Sequence, residues 1–434
     1  MQPLELDDIQ GLLAKGYKSL EKAAYFLVAF ADVAAARAWL GAQLSAGAID
    51  SARRGGPSRE HNLAVALTAS GLAKLGLDEG ALRTLVPELR EGVFAHARAR
   101  QLGDTGANDS AHWRWGGADD PIDLLVVAFA AVHGVAWLTQ VGSALRSIGS
   151  VRRIDADHAD VEPFGFRDGI SQPFVEGLTR GAAPARARVV RAGEFVLGYL
   201  NEAGHLPAAP SLAATADPAR VLPRLPNGRC DLGRNGSFLV LRQIEQDVDK
   251  FCALTARDPR LAAQLVGRWP SGAPVTRHPD RDPDVVGDDF GYRDDRHGLR
   301  CPVGAHVRRA NPRDSLWSES VTPDEALALA DQHRILRRGR VYCEGGQKGL
   351  MFLCLNANLE KQFEFVQASW IANPEFDGLD GERDALLGPG GAFTQPGPFL
   401  SQRVTGLAHF TTLRGGAYFF LPGLRALRYL AAAA

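Results

Sequence analysis

Two groups in this chain have residue types and surroundings suited to acid–base and ligand chemistry. Asp168 lies in Gly165-Phe-Arg-Asp168-Gly169, a carboxylate on a turn bracketed by glycines. Glycine reaches backbone conformations closed to other residues, so this carboxylate can be aimed into a cavity. Pro163 before it and Ile170-Ser-Gln-Pro173 after it stiffen the loop. His306 is a lone imidazole in Cys301-Pro-Val-Gly-Ala-His306-Val-Arg-Arg-Ala-Asn-Pro-Arg313. Pro302 and Pro312 fix the chain on either side of it, and Gly304-Ala305 leave room for a flat group to approach. Arg308, Arg309 and Arg313 follow within seven residues, and guanidinium binds carboxylates in a two-pronged way. Plainer readings compete with these. GxxDG alone serves as an Asx turn that caps the next segment, and three arginines alone make a solvated basic loop.

The ligand chemistry narrows when metals are compared. Structural zinc is held by cysteines and histidines at close spacing, and the chain has neither a CxxC nor an HxxxH. A single imidazole as the only strong ligand fits haem iron, because the porphyrin supplies the other four nitrogens. A carboxylate on one face of such a group and an imidazole on the other are the two parts a haem peroxidase needs.

One unit recurs among the elements that must position these residues: a short apolar run, then a segment of helical period. Residues 24–30 lead into 33–44, 62–68 into 70–76, and 123–129 into a helix pattern through Trp137 and Val141. Farther on, 237–242 lead into 246–255 and 349–355 into 358–370, and Ala417-Tyr-Phe-Phe-Leu-Pro422 adds a strand. These lengths and periods predict a duplicated α+β fold, each half an antiparallel sheet covered by helices. Residues 1–180 form the first half and contribute the Asp168 loop. The Ala-, Pro-, Gly- and Arg-rich stretch 181–226 reads as a connector, and 227–434 form the second half with His306. A second irregular stretch, 269–304, is dense in Pro, Asp, Arg and Gly and ends at His306; a loop of that length in a compact domain is usually functional.

With 434 residues the chain is too long for one ordinary core, and 45% hydrophobic with 23% charged residues is the balance of a soluble globular protein. A net charge of −1 gives no reason to expect a nucleic-acid partner. The acidic opening, Met1-Gln-Pro-Leu-Glu-Leu-Asp-Asp8, has the form of neither a Sec nor a twin-arginine signal, and no segment reaches the length of a membrane span. Five widely spaced cysteines predict reduced thiols and a cytoplasmic protein.

The block from Gly165 to Gly177 and the block from Cys301 to Asp314 resemble the signature segments of dye-decolourising peroxidases. So do Ile335-Leu-Arg337-Arg-Gly339, Gly349-Leu-Met-Phe-Leu-Cys-Leu-Asn-Ala357 and Arg414-Gly-Gly-Ala-Tyr-Phe-Phe-Leu-Pro422. The matches run in family order from Asp8-Ile-Gln-Gly11 nearly to the end. The resemblance implies duplicated ferredoxin-like domains with one haem b per chain, held in the carboxy-terminal half. It implies Asp168 as the distal acid–base residue, beside Gly169, and His306 as the proximal iron ligand. It implies Arg337 as the distal arginine, with Arg334 and Arg338 as the alternatives if the register shifts, and Leu350 and Phe352 as apolar lining. Arg308, Arg309 and Arg313 are then the expected partners of the haem propionates. For the group that orients His306, the chain offers His409, Glu360 or Glu364. Where the family usually has Pro-Tyr-Gly after the arginine, this chain runs Arg340-Val-Tyr-Cys-Glu344 and implies a differently shaped access channel.

The implied activity is reduction of hydrogen peroxide through a ferryl haem, with oxidation of dyes, phenolics or other bulky aromatic donors. Trp317, Tyr342 and Trp370 are the aromatic residues near the motifs through which electrons from donors too large for the haem edge could pass. Two other readings are kept: a haem-handling protein, carrier or deferrochelatase-like, without efficient turnover, and a cofactor-free scaffold whose loops are only structural. A Soret band and its response to one equivalent of peroxide separate all three. A carboxylate base, with a reference pKa of about 3.9, stays ionised at acid pH where a histidine base is protonated. Turnover is therefore expected to peak in acid, and a rate profile peaking well above neutrality with no acid limb would exclude a carboxylate base.

Overall fold

The computed structural model describes residues 3–53, 59–181, 183, 188–316 and 320–432. Its frame is a ring of eight antiparallel strands: β1 (Lys22–Phe30), β2 (His61–Leu67), β3 (Leu124–Ala130), β4 (Gly149–Asp157), β5 (Ser237–Gln246), β6 (Arg340–Glu344), β7 (Gln347–Asn356) and β8 (Thr411–Leu421). The first four lie in the order β4-β1-β3-β2 and the last four in the order β6-β7-β5-β8. Both are the ferredoxin-like order, so the duplicated α+β fold expected from the sequence is the fold observed. The halves do not keep separate sheets, however. Val341 and Tyr342 pair with Asp157 and Ala156, and Phe420 pairs with Leu67, which closes the two sheets into one barrel.

Strand periodicity divides the side chains between two compartments. Tyr25, Leu27, Leu125, Val127, Phe129, Leu239, Leu241, Met351, Leu353 and Phe419 fill the barrel with Trp115 and Tyr342. Their neighbours Phe26, Val28, Val126, Phe238 and Val240 face outward. Helices Val33–Ser45 and Val135–Arg146 pack over the amino-terminal half through Leu40, Leu138, Val141 and Leu145. Asp32 caps the first of these by accepting from Ala35 N at 2.9 Å. Six of the strands are covered on both faces and read as apolar runs, as the sequence pattern already indicated; β4 (GSVRRIDAD) and β6 (RVYCE), partly exposed, do not.

The covering of the carboxy-terminal half is less regular. Helices Val248–Arg257 and Pro259–Val266 are followed by a five-residue helix, His306–Ala310. The segment expected to be an ordinary helix over 358–370 is instead a wide π-type helix in two pieces, Glu360–Glu364 and Val366–Ile371. Such segments recur at functional sites because their extra residue re-aims side chains. A hairpin, Gly391–Gln395 with Gln402–Leu407, then precedes β8. Among the described residues no helix is long and apolar enough to cross a membrane.

Glu194 shows how the crossing segment is tied down. Its carbonyl accepts from Ala357 N and Gln362 Nε2, both at 2.9 Å, and so holds the end of β7 and the start of the wide helix. Burial pushes the Glu194 carboxyl up from 4.5 to about 7, helped by the nearby Glu202 and Asp331 charges. The folded state therefore holds a proton there that the unfolded chain gives up, and stability falls as pH rises through that window. The Glu194→Gln protein is expected to lack this slope. At neutral pH it should gain on the order of 2–3 kcal/mol over the parent, read as urea midpoints between pH 4.5 and 7.

Candidate active site

A cavity of about 300 Å³ lies on the outer face of the carboxy-terminal sheet, under the irregular helices. Its floor is a cross-strand row: Leu350 stands opposite Ile244, and Ile244 opposite Leu413. Phe352 and Arg242 form the next pair. A bulge between Leu413 and Gly415 turns Thr411 and Leu413 to this face; without it β8 would send them into the barrel. Phe363, Val366, Gln367 and Ile371 of the wide helix supply the roof.

Asp168 and Gly169 enter the cavity wall from the loop after β4. Gly165 and Gly169 adopt φ of 93° and 73°, the left-handed region that the glycines were expected to supply. Phe164 and Phe166 anchor the loop: Phe164 stacks on Phe251 with centroids 4.3 Å apart, and Phe166 meets the same ring edge-on at 5.9 Å. Asp168 N donates to Asp160 O at 2.9 Å, and its Oδ1 accepts from Gly169 N at 2.5 Å. The carboxylate keeps 42% exposure, open to the cavity.

Arg337 comes from the other half. Leu336–Arg337 pairs with the far end of β7, and the chain then bulges at Arg338-Gly339 before resuming as β6. A side chain at Gly339 would meet Met351 O, so the bulge needs glycine. Arg337 Nη1 lies 3.5 Å from Asp168 Oδ1, and its backbone N–H donates to Gln172 Oε1 at 3.1 Å. Arg334 lines the same cavity, where Asp331 Oδ1 lies 3.7 Å from its guanidinium. Arg338 does not reach it; its guanidinium donates to Leu12 O and Leu13 O at 3.0 Å.

His306 lines the same cavity, at the first position of its short helix. Its Nδ1 is 2.9 Å from Asp384 Oδ2. Asp384 is fully buried, and its Oδ1 accepts from Leu386 N at 3.0 Å and Leu387 N at 2.8 Å. Burial pushes this carboxyl upward, but His306 and the Leu387 N–H outweigh it and hold it below the ordinary carboxylate range. His306 retains 29% exposure toward the cavity. With Nδ1 facing a carboxylate, the Nε2 lone pair is left for a ligand.

Several expected roles are corrected here. The partner of His306 is Asp384, not His409, Glu360 or Glu364. Glu364 is engaged by Arg98 Nη1 at 2.5 Å and Tyr418 Oη at 2.8 Å, Glu360 is exposed, and His409 lies in a neighbouring cavity. Nor do Arg308, Arg309 and Arg313 face the cavity. Arg308 donates to the carbonyls of Asp295, Arg296 and Cys301, and Arg309 to those of Trp370, Asn373 and Glu382. Arg313 donates to the carbonyls of Asp288 and Phe290 and to the Asp288 carboxylate. They organise the irregular loops, whose carbonyls have no strand or helix partner. Tyr342 is buried in the barrel and Trp370 on the inner side of the wide helix to which it belongs, so neither presents a ring at the surface. Trp317 lies outside the described residues.

Comparison with known proteins places this arrangement in a family. The family model "Dyp-type peroxidase, C-terminal" matches residues 216–396. The multifunctional dye peroxidase DyP2 of an Amycolatopsis species is 30% identical over 421 residues, spanning 85% of this chain and 82% of that protein. The chain belongs to the dye-decolourising peroxidase family. It is thus a haem-dependent peroxidase, an oxidoreductase. The dye-decolorizing peroxidase AauDyP1 of Auricularia auricula-judae is 26% identical over 482 residues, spanning 98% of this chain and 86% of that protein. Among solved structures, an ancestral D-type dye-decolorizing peroxidase superposes with a TM-score of 0.76 at 26% identity, covering 100% of both chains. A fungal DyP-type peroxidase from Auricularia auricula-judae gives 0.79 at 23% identity, again over 100% of both, a likeness of fold.

The donor set of this dye-decolourising peroxidase fits haem. The cavity offers one imidazole nitrogen, apolar walls from Leu350, Phe352 and Ile244, and the Arg334 and Arg337 guanidiniums for carboxylates. Sequence reasoning missed Glu162, which also lines the cavity. Its carboxylate accepts from Phe164 N and Phe166 N at 3.0 Å and from Gln246 Nε2 at 2.6 Å, pinning the Asp168 loop to the end of β5. The signal was present in the glutamate two residues before a Phe-Gly-Phe turn, but its partner Gln246 is 84 residues away. Glu162→Ala would leave three buried donors unsatisfied, each unmade bond costing about 1–3 kcal/mol. The variant is expected to unfold at lower urea and to lose peroxide turnover together with loop order; unchanged stability would remove Glu162 from this role.

Proposed function

We propose that this chain reduces hydrogen peroxide and oxidises dyes, phenolics or other aromatic donors with one haem b per chain. Asp168 is its distal acid–base residue, Arg337 its charge stabiliser and His306 its proximal iron ligand. The observation that carries the reading is the grouping in one cavity: Asp168 beside Arg337, and His306 braced by Asp384. We assign the distal loop to an amino-terminal domain, 1–180, and the haem-binding side to a carboxy-terminal domain, 227–434, joined by 181–226. Five free cysteines support residence in a reducing compartment, the cytoplasm.

His306 would hold the iron through Nε2, Leu350 and Phe352 would supply apolar lining, and Arg334 would take propionate carboxylates. Arg334 replaces the arginines of the His306 segment in this role because it lines the cavity and they do not. Bound haem supplies the redox iron at which the peroxide O–O bond is cleaved. Asp168 removes the proton from one peroxide oxygen and returns it to the other, so that the departing oxygen leaves as water. Arg337, permanently protonated in a largely apolar cavity, stabilises the negative charge that grows on that oxygen. Asp384 keeps the Nδ1 proton of His306 in place, which fixes the ring orientation and makes Nε2 the stronger donor.

Two substitutions divide these roles. Asp168→Asn should keep haem, seen as an unchanged Soret band, and lose about 10²- to 10⁴-fold in peroxide turnover. His306→Ala should lose or loosen haem. A fully loaded, active His306→Ala protein would overturn the ligand assignment, and an Asp168→Asn protein of parental rate would overturn the acid–base one.

A further inference from the structure

Arg334 differs from the other arginines around the cavity. Arg308, Arg309, Arg313 and Arg338 spend their donors on backbone carbonyls. The Arg334 guanidinium makes no hydrogen bond to a described residue; Asp331 Oδ1 faces it at 3.7 Å, as a charge beyond hydrogen-bond reach. Side-chain contacts therefore do not aim this group, and its backbone must.

That backbone is gripped from the roof of the cavity. Gln362 of the wide helix, fully buried, donates from Nε2 to Arg334 O at 2.7 Å and to Glu194 O at 2.9 Å. Its Oε1 accepts from Ala357 N at 3.0 Å and from Asn358 N at 2.9 Å. Two bonds donated and two accepted use the capacity of a primary amide. Turned over, it would set N–H against N–H and oxygen against oxygen at every contact, so a single orientation fits. The other backbone bond of this residue is longer: Arg334 N donates to Asp331 O at 3.3 Å. His333 adds a second tie to the same helix, stacked on Phe365 with ring centroids 3.9 Å apart. Phe363 and Val366 of that helix line the cavity, so roof and guanidinium form one unit.

Guanidinium holds a carboxylate by two parallel bonds only when the planes meet, and a displaced one forms a single bond or none. We propose that Gln362 is the positioning residue for capture of the haem carboxylates: its amide fixes the Arg334 backbone and so aims the guanidinium at a propionate. The proposal rests on the reading above, in which Arg334 takes propionates. Gln362 acts through Arg334, because it does not itself line the cavity.

The test compares haem with haem dimethyl ester, whose blocked carboxylates cannot form an ion pair. Protein loaded with either porphyrin releases it to excess apomyoglobin, and the Soret change gives the rate without any turnover. The parent should release the ester at least about tenfold faster than haem, the size expected of a charge-assisted bond. Arg334→Gln should abolish that preference. Gln362→Met, apolar and of similar length, should abolish most of it although Arg334 is still present. Gln362→Glu keeps an oxygen for Ala357 N and Asn358 N, and with it the start of the wide helix, but turns its other oxygen toward Arg334 O; it should lose the preference as well. General loosening of the fold speeds both porphyrins alike and leaves their ratio standing. A parental ratio in either Gln362 variant would therefore overturn the proposal. So would a parental ratio in Arg334→Gln, or no preference in the parent, since either removes the contact that Gln362 serves. Failure of the peroxidase reading looks different: the parent would bind neither porphyrin or, once loaded, would turn over no peroxide.

Discussion

The hydrogen bond between His306 Nδ1 and Asp384 is the constraint on which the rest of the site depends. A neutral imidazole has one N–H and one lone pair, and it can present the lone pair to the cavity only if the N–H is taken elsewhere. Asp384 takes it at 2.9 Å. A fully buried carboxylate is expensive unless paired, and here the imidazole and two backbone N–H groups pair it. What remains is to hold the two chain segments in register. Arg309 does this from within the His306 helix. One guanidinium binds Trp370 O, Asn373 O and Glu382 O, the last only two residues from Asp384. Stacking against Phe376, with the guanidinium 5.1 Å from the ring centroid, fixes its plane.

Asp168 and Arg337, paired in the same cavity, come from different halves of the duplication. Asp168 follows β4, and Arg337 precedes β6. Their separation is set by the strand pairing that joins those two elements, Val341 with Asp157 and Tyr342 with Ala156. Arg337 also binds the Asp168 loop directly, through Gln172 Oε1 and Ser171 O. Closing the barrel is thus what brings carboxylate and guanidinium together. Either half alone would expose a sheet edge and carry half of the pair.

Local features of this site were legible in the sequence, and long-range ones were not. The apolar runs gave six of the eight ring strands, because a strand covered on both faces is written in consecutive residues. Glycines at 165 and 169 marked the turn that carries Asp168, because φ near +90° leaves few other choices. Asp384 was out of reach. The hairpin Gly391–Gln395 with Gln402–Leu407 stands between it and the closing strand, whereas His409 lies immediately before that strand. The basic cluster after His306 misled for a different reason. Sequence gives an arginine's charge but not the direction of its long side chain, and these point into carbonyl-rich loops instead of the cavity. The bulge at Leu413 to Gly415 is likewise silent in composition, yet it decides which face Leu413 joins.

Why the cavity lies outside the barrel follows from packing. An eight-stranded ring is just wide enough for side chains to fill, and Tyr25, Trp115, Phe129 and Tyr342 fill it, each almost completely buried. Room for a cofactor must therefore open between a sheet and its covering layer. Over the amino-terminal half that layer is two regular helices whose buried leucines and valines mesh with Phe26 and Val28. Over the carboxy-terminal half it is a five-residue helix, a wide helix in two pieces and loops braced by arginines. Irregular cover cannot close over a flat sheet face, so Leu350, Phe352 and Ile244 remain unfilled from above. The same irregularity generates many unpaired carbonyls, which is why this half needs buried arginines such as Arg308 and Arg309. Cavity and clamps are two consequences of one departure from regular helical packing.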